Sequence, residues 1–318
     1  MDKISVVVTN YNNGALLRRA VDSLRKQADR DFETVVVDDG SSDVESKAVC
    51  RELVKSGVKV IELKNNMGVS FARNVVTEAA EGEICVPLDS DDVLPENAVA
   101  DIRDCFRMDP AANFAFGNYI VNDEMSGTKY AVDSSILCNA KGYADPYQQY
   151  KHCLLLGCSP YRKLLWKRVG GYTATHPLED CDFWFKALKH GAKGKYINKT
   201  VYHWFKRFSG RNCRVTEGLF YQVVWHNIGL FDMTGQGIDV RRDLVQLFMR
   251  IKYYDEAKAI ARELLTLGER SWEDTVLANC PGRCSAFTIG LARKYQKKGY
   301  DLTDSGGRDR IDHGGTHL

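Results

Sequence analysis

The first hundred residues switch repeatedly between two hydrophobic periods, and this alternation constrains the fold more than any other feature. Ile4 to Thr9 is a short β-branched run, after which Leu16, Leu17, Ala20, Val21 and Leu24 recur at helical spacing. Thr34 to Val37 again reads as a strand, Val44 to Lys55 as a helix and Val58 to Leu63 as a third strand. Ser70 to Ala80 follows as a helix that Ser70 can cap, and Ile84 to Leu88 as a fourth strand. Strands alternating with helices of this length imply an α/β fold with a mainly parallel central sheet covered on both faces. Ligands of such sheets bind at the carboxyl ends of the strands. Two of those ends carry acidic clusters: Asp38-Asp39-Gly40-Ser41-Ser42 and Asp89-Ser90-Asp91-Asp92.

The periodicity changes beyond Pro95. Ala98 to Phe106 is helix-like, Phe114 to Val121 strand-like, and Asp123 to Lys129 polar, while Pro146 to Ala187 mixes helices with the Gly170-Gly171 break. From Thr216 the alternation stops, and two helical patterns are joined at Tyr253-Tyr254-Asp255. The expected organisation is a sheet domain over 1–214, with a 1–95 half and a 96–214 half. A C-terminal helical extension over 215–300 and a disordered tail over 301–318 complete it.

Composition removes several function classes. Lys+Arg 44 against Asp+Glu 42 leaves a net charge of +2, whereas a protein held to nucleic acid through its phosphates is expected to be more basic. No apolar run approaches a membrane span, and Met1-Asp2-Lys3 leads directly into a β-branched strand rather than the apolar core of a signal peptide. The ten cysteines include no CxxC pair; Cys280-Pro-Gly-Arg-Cys284 is the closest approach to a zinc motif and lacks a second pair. Reduced thiols in a cytoplasmic protein are the expectation.

Three carboxylates within four residues, at Asp89, Asp91 and Asp92, repel one another unless a cation sits among them. Hard oxygen ligands suit Mg²⁺ or Mn²⁺. Taken alone, a solvated turn ahead of Pro95 explains the cluster equally well. The second cluster changes that balance. A carboxylate of Asp38-Asp39-Gly40-Ser41 can accept the N3–H of a uracil ring, and Thr9-Asn10-Tyr11 brings an aromatic face to the same sheet edge.

These segments carry a family resemblance. Val6-Val7-Val8-Thr9-Asn10-Tyr11-Asn12, Val35 to Asp43, Asn66-x-Gly68-x-x-x-Ala72-Arg73-Asn74, Leu88-Asp89-Ser90-Asp91-Asp92 and Leu178-Glu179-Asp180-Cys181-Asp182-Phe183-Trp184 resemble family-2 glycosyltransferases of the GT-A fold over roughly residues 3 to 210. The resemblance implies an inverting transferase with a nucleotide-sugar donor, most often a UDP-sugar, and Mn²⁺ or Mg²⁺ as cofactor. By the same resemblance, Thr9, Tyr11 and Asp39 hold the uracil and Arg73 lies near the diphosphate. Asp89 binds the ribose or the water shell of the metal, and Asp91 ligates the metal. Asp180 is the general base, ahead of Glu179 and Asp182, and Trp184 either lines the acceptor cleft or packs in the core. The implied acceptor is a glycan or a lipid-linked glycan.

One segment departs from the family pattern. Many relatives carry a His after the base helix; in Tyr202-His203-Trp204-Phe205-Lys206-Arg207, Arg207 takes that place and His203 lies one step away. Lys206 and Arg207 then become candidates for neutralising the diphosphate. They belong to a stretch from Phe183 to Thr216 that contains no acidic residue. That stretch is either a solvated face or a cationic rim for a diphosphate, an anionic acceptor or an anionic membrane surface. The second case implies a peripheral contact at the inner face of the membrane. Two alternatives stand beside the transferase: a sugar-nucleotide-forming nucleotidyltransferase, and a non-catalytic nucleotide-binding module acting through its C-terminal helices. The first should show a Gly-rich, basic loop after the first strand, where this chain has Asn10-Tyr11-Asn12-Asn13-Gly14.

Overall fold

The computed structural model describes residues 2–207, 215–269 and 271–279. Four parallel strands, β1 (Ile4–Asn10), β2 (Phe32–Asp38), β3 (Lys59–Glu62) and β4 (Ile84–Asp89), form one half of an eight-stranded sheet. The sheet continues through β7 (Tyr161–Arg162), β5 (Phe114–Asp123) and β6 (Thr128–Val132), in the order β3-β2-β1-β4-β7-β5-β6. β8 (Gly194–Lys206) runs parallel along β5. Ile4, Val6 and Val8 are wholly buried on alternate positions of β1, and Val7, between them, is 2% exposed, so both sheet faces are covered.

The helices follow the periodicity read from the sequence. α1 (Gly14–Leu24) buries Leu17, Ala20, Val21 and Leu24, one apolar stripe at spacings of three and four. α2 (Val44–Lys55) begins where the Asp43 carboxylate accepts the Ser46 N–H at 2.7 Å. α3 (Val69–Ala79) starts after Gly68, and the expected cap Ser70 instead donates its hydroxyl to the Ala174 carbonyl. α4 (Ala98–Met108) precedes β5; α5 (Pro146–His152), α6 (Lys163–Val169) and α7 (Glu179–Lys189) follow β6.

The structure divides into two compact units, Met1–Thr234 and Gly235–Leu318. The extension expected from residue 215 therefore loses its first two helices to the sheet-bearing unit. In α8 (Glu217–His226) and α9 (Ile228–Met233) the reason is apolar packing: Phe231 is wholly buried, its ring 5.7 Å from that of Tyr150 and 5.8 Å from that of Phe185. Asn227 also donates to the Asp182 carboxylate at 3.2 Å. In the second unit α10 (Gly237–Arg250) and α11 (Tyr254–Thr266) bury Val240, Leu244 and Phe248 together with Ile260, Ala261 and Leu264, and α12 (Trp272–Asn279) follows. The expected tail over 301–318, the extension beyond 279 and the Cys280–Cys284 pair lie outside the described residues. Cysteines among the described residues are free thiols, and burial pushes those of Cys50 and Cys85 up to about 12. No helix among the described residues is long and apolar enough to cross a membrane.

Candidate active site

The carboxyl ends of β1, β2 and β4 open into a cavity of about 890 Å³. Its wall includes Thr9, Tyr11, Asp39, Arg73, Asp89, Asp91, Asp180, Lys206 and Arg207, all read from the sequence as site candidates. The register explains the convergence, since Thr9 pairs with Val37 on one side and with Asp89 on the other. Residues distant in sequence are thereby placed along one sheet edge.

The two acids ending β2 do different work. Asp38 is buried and accepts from Asn10 Nδ2 at 2.7 Å and from the Ser41 N–H at 3.0 Å, which folds the turn. Gly40 completes that turn at φ +70, where a Cβ would also lie 2.4 Å from the Asn65 carbonyl carbon. Asp39 faces the cavity, and its two oxygens accept the N–H groups of Met67 and Gly68 at 2.8 and 2.9 Å. It therefore anchors the loop ahead of α3 as well as presenting a carboxylate. Tyr11 is 43% exposed at the mouth.

The second cluster holds Asp89, Asp91 and Asp92, each with a carboxylate oxygen within 4.8 Å of the others. Asp89 accepts from Thr9 Oγ1 at 2.9 Å and from Arg73 Nη2 at 3.1 Å to both oxygens. Asp91 pairs with Arg207, Oδ2 to Nη2 at 2.8 Å. Burial raises the pKa of Asp91, the neighbouring Asp89 raises it further, and Arg207 opposes both. Asp92 is structural: it accepts from the Tyr202 hydroxyl and the Phe205 N–H, both at 2.7 Å, and so fastens β8 to the end of β4. Burial and the two neighbouring carboxylates hold its pKa well above the usual range.

α7 supplies the opposite wall. Glu179 is 2% exposed and accepts from Arg73 Nη1 at 2.7 Å, while Asp182 pairs with Lys186 at 2.6 Å. Both weaker base candidates are thus occupied in the fold. Asp180 is half-buried on the cavity wall, with Oδ1 accepting the Cys181 N–H at 2.8 Å.

Trp184 is corrected. It has no exposed surface, its indole N–H donates to the Leu156 carbonyl at 2.9 Å, and its ring lies tilted 4.7 Å from that of Phe114. It packs in the core and does not line a cleft. His203 exchanges backbone hydrogen bonds with Val93 and lies off the cavity wall; burial lowers its pKa, and Lys129 adds to the effect. Arg207 alone of the two reaches the acidic cluster. Nor do the described basic residues after Phe183 form one rim. Among the described basic residues of that stretch only Lys206 and Arg207 line the cavity, whereas Lys195 lies over the Tyr143 ring and Lys186 pairs on α7. Arg211 and Arg214 fall outside the described residues.

Sequence reasoning missed two parts of the site. Leu156, Gly157 and Cys158 line the cavity from a loop with no local motif to mark it. Arg19, on α1, is not on the cavity wall but supports it from behind, donating to the Asp91 carbonyl with its guanidinium carbon 3.8 Å from the centre of the Phe205 ring.

Residues 5–169 match the family described as Glycosyl transferase family 2. The chain belongs to this family. Glycosyltransferase GlyG of Streptococcus pneumoniae serotype 4 is 34% identical over 129 residues, 40% of this chain, and the match spans only 42% of GlyG. The poly(ribitol-phosphate) beta-N-acetylglucosaminyltransferase TarP of Staphylococcus aureus is 34% identical over 105 residues, 32% of each protein. In three dimensions the chain is similar to S. aureus TarS residues 1–349 in complex with UDP-GlcNAc. That similarity has a TM-score of 0.63 at 19% identity, covering 93% of this chain and 92% of that one. Mannosyltransferase PcManGT from Pyrobaculum calidifontis, in complex with GDP-Man and Mn²⁺, gives 0.55 at 16% identity over 93% and 80%. The fold is GT-A.

Proposed function

We propose that this family-2 glycosyltransferase inverts, moving a sugar from a UDP-sugar to a hydroxyl of a glycan or lipid-linked glycan, with Asp180 as general base. The observation that carries this reading is the single cavity joining the strand-end carboxylates Asp39, Asp89 and Asp91 to Asp180 on a separate helix. Inversion is one displacement. The acceptor oxygen bonds to the anomeric carbon, the bond from that carbon to the diphosphate breaks, and the electron pair leaves with the nucleoside diphosphate. The acceptor proton passes to Asp180. A base on the face opposite the leaving group must come from a different segment than the groups that hold the diphosphate, and α7 and β4 supply those two segments.

Tyr11 offers a face for the base of the nucleotide, Thr9 lies beside it, and Asp39 offers an acceptor for an imide N–H. Lys206 and Arg207 are cations within reach of the diphosphate end. The acidic cluster supports a hard divalent cation, because Asp89, Asp91 and Asp92 bring carboxylate oxygens within 4.8 Å of one another and a cation among them would relieve the burial and crowding that work against the charge of Asp91. Asp89 and Asp91 would hold Mn²⁺ or Mg²⁺, which when bound neutralises charge on the leaving diphosphate. UDP-GlcNAc in the TarS complex and Mn²⁺ in the PcManGT complex support this reading of donor and metal. The named acceptor of TarP, a poly(ribitol phosphate), supports a glycan-type acceptor. We place the reaction in the cytoplasm.

Titration calorimetry with UDP and a panel of UDP-sugars, followed by a donor-hydrolysis assay, tests the reading. UDP binding with slow release of sugar is expected. Binding without turnover of any donor indicates a non-catalytic module, and consumption of UTP with a sugar phosphate indicates a nucleotidyltransferase.

A further inference from the structure

Arg73 carries its charge where a donor ligand would not need to. Its side chain is 5% exposed, clamped between Asp89 at the end of β4 and Glu179 at the start of α7. Nη2 meets both Asp89 oxygens at 3.1 Å, Nη1 meets Glu179 at 2.7 Å, and the Tyr172 ring lies 5.5 Å from the guanidinium carbon. Gly157 closes over the group so tightly that a Cβ there would fall 2.7 Å from Nη2 and 2.9 Å from Nη1. A planar, two-pronged cation is suited to such a bridge, and Lys cannot span two carboxylates in the same way.

We propose that Arg73 is a positioning residue, a strut that sets the first turn of α7, and with it Asp180, against the donor end of β4. The proposal rests on Asp180 being the base. It replaces the diphosphate contact expected for Arg73 with an internal one. Glu179 is the far foot of the strut and is adjacent in sequence to Asp180, so a shift of the guanidinium is transmitted through one peptide unit. Arg73 also lies close enough to Asp180 for the two charges to attract each other.

Three variants test this, read by hydrogen exchange, UDP affinity, transfer rate and the pH profile of transfer. Arg73→Lys keeps the charge and removes the fork. Gly157→Ala keeps every charge and pushes the guanidinium aside. Arg73→Gln removes the charge. In Arg73→Lys and Gly157→Ala, hydrogen exchange should accelerate in the first turn of α7 while α2 stays protected, a result that does not depend on turnover. UDP affinity should stay within about threefold while kcat for transfer falls by about 10²-fold, the lower end of what a placed base contributes. In Arg73→Gln the acid limb of the transfer profile should move to higher pH, because a carboxylate that loses a neighbouring cation holds its proton longer. Unchanged exchange in α7 in both charge-keeping variants overturns the strut. So does a tenfold or greater loss of UDP affinity with kcat retained, which would make Arg73 a donor ligand. Faster exchange with no loss of transfer would keep the strut and refute Asp180 as the base.

Discussion

Arg207 Nη2 lies 2.8 Å from Oδ2 of Asp91, so a side-chain cation already sits on a carboxylate proposed to hold the metal. The pair has two consequences. The protein's own cation would compete with a metal for Asp91, and once displaced it would be available to the diphosphate. EDTA is expected to abolish transfer and added Mn²⁺ to restore it. Arg207→Gln should bind Mn²⁺ at least about tenfold more tightly by calorimetry, since one neighbouring charge shifts a carboxylate by roughly one to three pKa units. Full activity in chelator would show that Lys206 and Arg207 suffice without a metal.

Asp39 is expected to contribute to UDP affinity in two ways. Its carboxylate faces the cavity, and it also holds the N–H groups of Met67 and Gly68. Asp39→Ala should weaken UDP binding by about 1–3 kcal/mol, the usual cost of losing a charged hydrogen-bond partner. Asp39→Asn keeps an acceptor oxygen and should lose less. Equal UDP affinity in wild type and Asp39→Ala would remove this residue from the nucleotide site.

The domain limit is testable by truncation. Phe231 is buried against Tyr150 and Phe185, so a chain ending at residue 214 leaves those rings uncovered. A chain ending at Thr234 matches the limit of the compact unit. The longer fragment is expected to melt cooperatively and bind UDP, and the shorter one to aggregate or melt without cooperativity. A well-folded 1–214 fragment would show that α8 and α9 are dispensable.

Much of this architecture is legible in the residues themselves. β1, β2 and β4 are runs of Val, Ile and Leu bounded by polar residues, and α2 spans Val44–Lys55 as its pattern indicates, with Asp43 as its cap. Motif order alone brings Thr9, Asp39 and Asp89 to one sheet edge. β8 is harder to read because Lys195, Lys199 and Lys206 interrupt its apolar residues, and because its pairing with β5 is long-range. The pairing of Arg73 with Glu179 joins residues 106 apart, so no local pattern can carry it. Trp184 shows the same limit: its burial is decided by Phe114 and Leu156 from other segments.

Acid should remove a specific stabilising contact outside the active site. Arg103 Nε donates to Asp29 at 2.6 Å, and this hydrogen bond holds the Asp29 pKa below its ordinary value of 3.8 against the opposing effect of burial. A depressed carboxylate pKa means that the native state binds fewer protons than the unfolded chain, so stability rises with pH through that window. The contribution is fully present above 3.8 and is lost as pH falls through the lower native value. Asp29→Asn should therefore melt below wild type at pH 7, with the difference closing as the pH falls below that range. A difference that stays constant with pH would mean that the carboxylate charge is irrelevant and only the shape of the contact matters.

The proposed mechanism turns on Asp180. Of the three acids opening α7, Glu179 is committed to Arg73 and Asp182 to Lys186, while Asp180 is half-buried on the cavity wall. It stands in the first turn of the helix, where the dipole favours the ionised carboxylate that a base requires. Asp180→Asn preserves shape and can still accept the Cys181 N–H, but it removes basicity. UDP and Mn²⁺ should bind as in wild type, while transfer falls by at least about 10²-fold. If Asp180 served only to satisfy the helix end, Asn would serve as well, and turnover would be close to normal. Normal turnover would move the base to Glu179 or Asp182, each of which would first have to leave its ion pair.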